Sequence, residues 1–176
     1  MKKLVLSIII LLLGLPAIGL AAPGDKVNVA ESFEATVLTE ELAAPWEMIW
    51  GPDNMLWVTE REGSKIVLIN PANGEKKVAA TIEGVFADMQ HNGLLGLAFA
   101  PGMTAKKGQV YLTHTYKGAT KDGKDGFWAK IIRMDYDGQT EKLTNPVIIL
   151  DGIPAGNDHN AGRLVFGPDG KLYASK

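Results

Sequence analysis

Three times in this chain an aromatic residue leads into a proline turn and then a short strand-like run. The first copy is Trp50-Gly51-Pro52-Asp53-Asn54 followed by Leu56-Trp57-Val58-Thr59. The second is Phe99-Ala100-Pro101-Gly102, which reaches Val110-Tyr111-Leu112-Thr113 after an insertion. The third is Phe166-Gly167-Pro168-Asp169-Gly170 followed by Leu172-Tyr173-Ala174-Ser175. A partner run recurs as well, as Lys65-Ile66-Val67-Leu68-Ile69 and Lys130-Ile131-Ile132-Arg133-Met134. Trp50 and Phe99 stand 49 residues apart, Phe99 and Phe166 67 apart. Repeats of about 40–50 residues carrying four strands each are the signature of β-propeller blades. The predicted fold is therefore all-β, a propeller of which this chain covers about two blades and the start of a third. The longer second spacing is assigned to a loop insertion, Tyr116 to Trp128, rich in Lys, Gly and Asp, of the kind that decorates a binding face.

A propeller closes with roughly four to eight blades, and an open arc leaves sheet edges unpaired. The expectation is that these residues are the N-terminal part of a longer chain. A small β-domain that assembles into a ring is the alternative. The other apolar runs, Val37-Leu38, Met48-Ile49-Trp50 and Ile66 to Ile69, are bounded by Gly, Pro, Asn and Asp and read as strands joined by tight turns. The weak helix candidate is residues 31–43.

Upstream, Lys2-Lys3 precedes an apolar run from Leu4 to Leu15, broken by Pro16 and followed by Gly19, Ala21 and Ala22. That order predicts a secretory signal peptide over residues 1–21. A membrane anchor needs about 20 apolar residues, and Gly14, Pro16 and Gly19 cut this run short. A polar lead over 22–41 and a propeller portion over 42–176 complete the predicted organisation. The chain has no cysteine, so no disulfide supports an exported product. The net charge of −2, with both signs interspersed, gives no basis for binding nucleic acid or an anionic membrane. The predicted location is periplasmic or secreted, with no membrane span once the signal is cleaved.

Of the three histidines, His159 is the best placed for chemistry. It lies in Gly156-Asn157-Asp158-His159-Asn160-Ala161-Gly162-Arg163, a polar loop that feeds Leu164-Val165-Phe166. A neutral imidazole there accepts a proton near working pH, and a nearby carboxylate orients it and stabilises the imidazolium. Neighbouring strand residues point to opposite sides, so Asp158 is assigned to the substrate rather than to His159. A plainer reading stands beside it, that Asp158, His159 and Asn160 only satisfy loop backbone groups. One blade earlier, Asp88-Met89-Gln90-His91-Asn92-Gly93 occupies the matching place before Leu94 to Phe99, and two such loops point to a shared pocket on the axis. His114 is read as structural or surface. There is no phosphate loop, no His-Glu-x-x-His and no Gly-x-Ser-x-Gly elbow. Asp151, Asp158, Asp169 and Glu60 offer oxygens to a calcium ion, but their spacing resembles no EF-hand, and no metal ligand is assigned.

Taken in order, Trp50 to Arg61, Asn92 to Phe99, and Asp158-His159 with Gly162 to Asp169 resemble the soluble pyrroloquinoline-quinone (PQQ) glucose dehydrogenases and the glucose/sorbosone dehydrogenases. The resemblance runs from about Leu42 to the end of the chain. It implies a six-bladed propeller with PQQ and calcium in the axial pocket, oxidising the C1 hydroxyl of an aldose to the lactone by hydride transfer to the quinone. His159 would be the base, and Asp158 and Gln90 would contact the sugar. The family reads Asp-x-Gln-Asn-Gly where this chain is one residue longer, so His91 competes with Gln90 for that position. The groups that hold PQQ and calcium come from later blades in the family. Hence no cofactor-binding residue is assigned, and the blades present here are expected to be inactive alone. The implied partners are a sugar and an external electron acceptor, and the resemblance leaves room for a homodimer. Two other readings remain open: a non-catalytic extracellular binding propeller and a calcium-dependent six-bladed lactonase.

Overall fold

The computed structural model describes residues 34–87, 91–120, 122–156 and 158–176. The signal-peptide segment, most of the lead, Gln90 and Asn157 lie outside them. Residues Val37–Lys176 form one compact unit.

That unit is built of antiparallel sheets, and there is no helix among the described residues. The first sheet is a meander of β1 (Pro45–Trp50), β2 (Leu56–Glu60), β3 (Lys65–Ile69) and β4 (Lys76–Thr81), paired in that order. The second repeats it with β5 (Leu94–Phe99), β6 (Lys107–Ala119), β7 (Asp125–Asp137) and β8 (Lys142–Pro154). A hairpin of β9 (Leu164–Phe166) and β10 (Leu172–Ala174) opens the next. The first two copies therefore each give a four-stranded sheet, as the spacing predicts, and the third gives two strands.

The first and third copies of the phrase share a physical reason. After β1, the Asp53 carboxylate accepts hydrogen bonds from Trp57 Nε1 (3.0 Å) and the Met55 amide (3.2 Å). After β9, Asp169 accepts from Tyr173 OH (3.0 Å) and the Lys171 amide (3.1 Å). The acid four residues before the aromatic thus ties the turn to the strand. A Cβ at Gly51 would stand 2.3 Å from both Asp53 Oδ1 and Trp57 Nε1, and one at Gly167 2.7 Å from the Tyr173 ring. The glycine is needed for close approach. Asp53 also accepts from Tyr136 OH of β7 at 3.0 Å, which carries the turn across to the next blade. Burial first, and this bond second, push the Tyr136 phenol up.

Strands β2 and β3 are apolar on both faces because a layer lies on each. Trp57, Ile66 and Leu68 face the second blade and share a core with Leu94, Leu97, Val110, Leu112, Ile132 and Met134. Val58, Val67 and Ile69 face the other way, under Leu42 and Leu56. A third cluster joins Ala98, Ile131 and Leu164, with Tyr111 against Phe166 edge-on, between the second blade and β9.

Three expectations are corrected. The Tyr116–Trp128 segment is not a loop: it extends β6 and β7 into one long hairpin, with Tyr116 paired to Trp128 and Ala119 to Asp125. Thr115 and Tyr116 on one strand and Phe127 and Trp128 on the other continue the ladder into the lysines and glycines. Val37-Leu38 is not a strand; it has no ladder partner, and Val37 is 76% exposed. No helix forms over 34–43 of the 31–43 candidate.

Candidate active site

The first strand of each sheet lies innermost, with β1 beside β5 and β5 beside β9. Their N-terminal ends bring together Trp46, Glu47, His91, Asn92, Asp158, His159, Asn160 and Arg163. Two close approaches fix this. A Cβ at Gly93 would lie 2.3 Å from the Arg61 carbonyl oxygen, and one at Gly96 2.1 Å from the Gly162 carbonyl oxygen. The second locks β5 against the loop that carries His159. Gly96→Ala would force backbone apart from backbone, and we expect it to cost about 1–3 kcal/mol in urea denaturation. A change below about 0.5 kcal/mol would mean that the loop tolerates displacement.

The two loops before β5 and β9 are built alike. Each places a histidine in the left-handed region, His91 at φ 59° and His159 at φ 55°, and an asparagine next. Asn160 Nδ2 donates to Asn92 Oδ1 at 2.7 Å and to the Gly156 carbonyl at 3.1 Å. Asn92 is fully buried, and its carbonyl accepts from Arg61 Nη1 at 2.9 Å. The asparagine pair therefore holds the loops of adjacent blades in register, and the histidines meet above it. Their rings are 4.8 Å apart, with the edge of Trp46 packed 6.0 Å from His91.

Asp158 lies between the two imidazoles. Its Oδ1 is 2.6 Å from His91 Nδ1 and accepts the His159 amide at 2.8 Å. Its Oδ2 is 2.8 Å from His159 Nδ1. The hydrogen bond from His91 holds the Asp158 carboxyl below the usual carboxylate range; desolvation opposes this, and the His159 amide adds to it. An ionised carboxylate only accepts, so both Nδ1 atoms face it as donors, and in a neutral His159 ring the lone pair is on Nε2. The His159 side chain is 80% exposed, so that lone pair is open to a ligand. The arrangement is a carboxylate-oriented imidazole in an accessible hollow, lined by Pro154, Gly156, Asp158, His159, Asn160 and Lys176.

This geometry changes the assignment of Asp158. Strand alternation does not govern its side chain, because Asp158 and His159 lie in a loop with His159 at positive φ. Both side chains turn to the same place, and Asp158 does orient His159. A carboxylate offers about four lone-pair sites. Three contacts are accounted for, which leaves capacity for a substrate hydroxyl. Gln90 lies outside the described residues, and its neighbour His91 reaches Asp158. His91 is the residue that spacing could not place, because 67 residues separate it from Asp158. The available signal was the repeated His-Asn ahead of an inner strand.

His114 is structural, 3% exposed with Nδ1 bonded to the Thr115 carbonyl at 3.0 Å, and burial pushes it down. It borders a depression of about 530 Å³ between the outer strands of the two blades, which takes no lining residue from the paired loops. The proposed calcium oxygens do not gather. Glu60 accepts the Ala43 amide, Asp151 accepts Tyr116 OH at 2.6 Å, and Asp169 is held in its own turn.

The profile of the glucose/sorbosone dehydrogenase family matches residues 42–176. Quinoprotein glucose dehydrogenase B of Acinetobacter calcoaceticus is 38% identical over 146 residues, covering 82% of this chain and 30% of that protein. An uncharacterised Synechocystis protein is 25% identical over 166 residues, 87% of this chain and 38% of its own. Among solved structures, the PQQ-bound aldose sugar dehydrogenase of Streptomyces coelicolor superposes with a TM-score of 0.67 at 32% identity, over 79% of this chain and 39% of that one. A glucose dehydrogenase superposes at 0.58 and 27% identity, over 74% of this chain and 40% of that one. The sheets are thus blades of a β-propeller. The chain spans about a third of the length of the curated relatives it matches.

Proposed function

We propose that this chain, which belongs to the glucose/sorbosone dehydrogenase family, supplies the base-bearing wall of a PQQ-dependent aldose dehydrogenase that oxidises the C1 hydroxyl to the lactone. The observation that carries the reading is the Asp158–His159 pair, with Nδ1 bonded to the carboxylate and Nε2 open. In this reading His159 Nε2 takes the hydroxyl proton, and Asp158 holds the imidazole and stabilises its charged form. The free acceptor capacity of Asp158 takes a neighbouring sugar hydroxyl, with Gln90 as a further contact. Bound PQQ supplies the two-electron acceptor, reoxidised by an external partner.

The described residues fit one wall of such a pocket. Arg163 stands at the site mouth, its side chain 72% exposed, and Glu47 already pairs with it at 3.3 Å. Arg163, already ion-paired, and Lys176 at the edge of the hollow do not by themselves cradle a tricarboxylate, so the groups that hold the cofactor belong to the rest of a closed ring, and the blades described here would be inactive alone. Glu60, Asp151 and Asp169 are each held apart, by Ala43, by Tyr116 and in its own turn respectively, and form no calcium cradle among the described residues.

An exported location goes with this reading. It rests on the signal-like residues 1–21, and no helix among the described residues is long and apolar enough to cross a membrane. The test is direct. Full-length protein given PQQ and calcium should reduce a redox dye in the presence of an aldose and release the corresponding lactone. A fully loaded protein that oxidises none of a panel of aldoses would leave the binding-propeller and lactonase readings.

A further inference from the structure

We propose that His91, Asp158 and His159 form a binding site for a divalent transition metal of the zinc, copper or nickel class, and that this ion switches off His159 as a base. Each residue offers one donor atom, and these atoms lie within 4.8 Å of one another. It is the one such group among the described residues. Two imidazoles and a carboxylate are the donor set that borderline divalent ions prefer, whereas calcium and magnesium prefer oxygen. An ion with bonds of about 2.0–2.2 Å spaces tetrahedral donors roughly 3.4 Å apart. The present contacts of 2.6 and 2.8 Å would open slightly, and the rings would close on the ion. All three side chains have room to make that adjustment, with exposures of 40%, 38% and 80%. The backbone supports are already in place: the Asn92–Asn160 pair holds the two loops together whether or not an ion is bound.

The chemistry of the ring nitrogens makes the two uses of His159 mutually exclusive. As a base, it carries its proton on Nδ1, bonded to Asp158, and offers the lone pair of Nε2. To ligate through Nδ1, the nitrogen facing Asp158, it must present the lone pair there, and the proton then sits on Nε2, where none can be accepted. The inhibition part of this proposal rests on the dehydrogenase reading; the binding part does not.

The test separates them. Zinc chloride is titrated calorimetrically into calcium-saturated full-length protein in chelator-free buffer, with wild type, His91→Asn and His159→Asn. Asparagine tolerates the left-handed backbone and is a poor zinc ligand. Wild type should show one site that excess calcium does not remove, and each variant should bind at least about tenfold more weakly. Wild-type affinity in both variants, or loss of the site to calcium, overturns the proposal. Because the readout is heat of binding, a protein without dehydrogenase activity would still reveal whether the ion binds. Where activity is present, zinc should lower wild-type turnover reversibly, with recovery on adding a chelator. Full zinc occupancy with unchanged turnover overturns the switch.

Discussion

His159→Asn should lower kcat/KM for aldose-dependent dye reduction by at least about a hundredfold, with the loss in kcat rather than KM. A positioned general base contributes about 10²–10⁴-fold, and asparagine removes the proton acceptor without demanding a new backbone conformation at φ 55°. Aspartate to amide at the neighbouring position reports on the orientation. Asp158→Asn offers His159 Nδ1 an amide that can donate, which favours the tautomer with the proton on Nε2. Its loss should fall within about tenfold of that of His159→Asn, since the wrong tautomer disables the same atom. Steady-state kinetics on PQQ-loaded full-length protein decide the matter. Unchanged turnover in His159→Asn removes that residue from the mechanism, and a severe loss in His159→Asn with a near-wild-type Asp158→Asn would show that the carboxylate only braces the loop.

Much of this arrangement is legible in the residues, and the limits have physical causes. The blade repeat is local: Asp53 and Trp57, or Asp169 and Tyr173, lie four residues apart and bond to each other, so the phrase that encodes the turn is visible as a phrase. The Asp158-His159 loop is visible for the same reason. Long-range pairing is not local. His91 meets Asp158 because β5 and β9 are adjacent inner strands, a fact about ring geometry that no window of the sequence contains. Strand alternation fails at Asp158 because the segment is a loop, where one left-handed residue redirects the side chains. The long β6–β7 hairpin is hidden by its glycines and lysines, which compose like a loop although thirteen residues of each strand stay in register.

Trp57→Ala should be the most damaging change to stability, at about 3–5 kcal/mol, because it empties the join between the first two blades. The indole is fully buried, packs edge-on against Phe99 at 5.1 Å and Tyr136 at 4.8 Å, and donates to Asp53. The site depends on that join, since β1 carries Trp46 and Glu47 while β5 leads back to His91. Trp57→Phe separates the two contributions. It keeps most of the packing and removes one donor from Asp53, which still accepts from Tyr136 and from the Met55 amide. Its cost should be about 1–3 kcal/mol, the range for losing one hydrogen bond to a carboxylate, here a half-buried one. Chemical denaturation of both variants measures the difference. If Trp57→Phe proves as costly as Trp57→Ala, the Asp53 hydrogen bond and not the aromatic cluster holds the blades together. If Trp57→Ala costs less than about 1 kcal/mol, the core lies elsewhere, and the mouth of the inner strands is positioned by backbone contacts such as Gly93–Arg61 and Gly96–Gly162 and by the hydrogen bonds of Asn92 to Arg61 and Asn160.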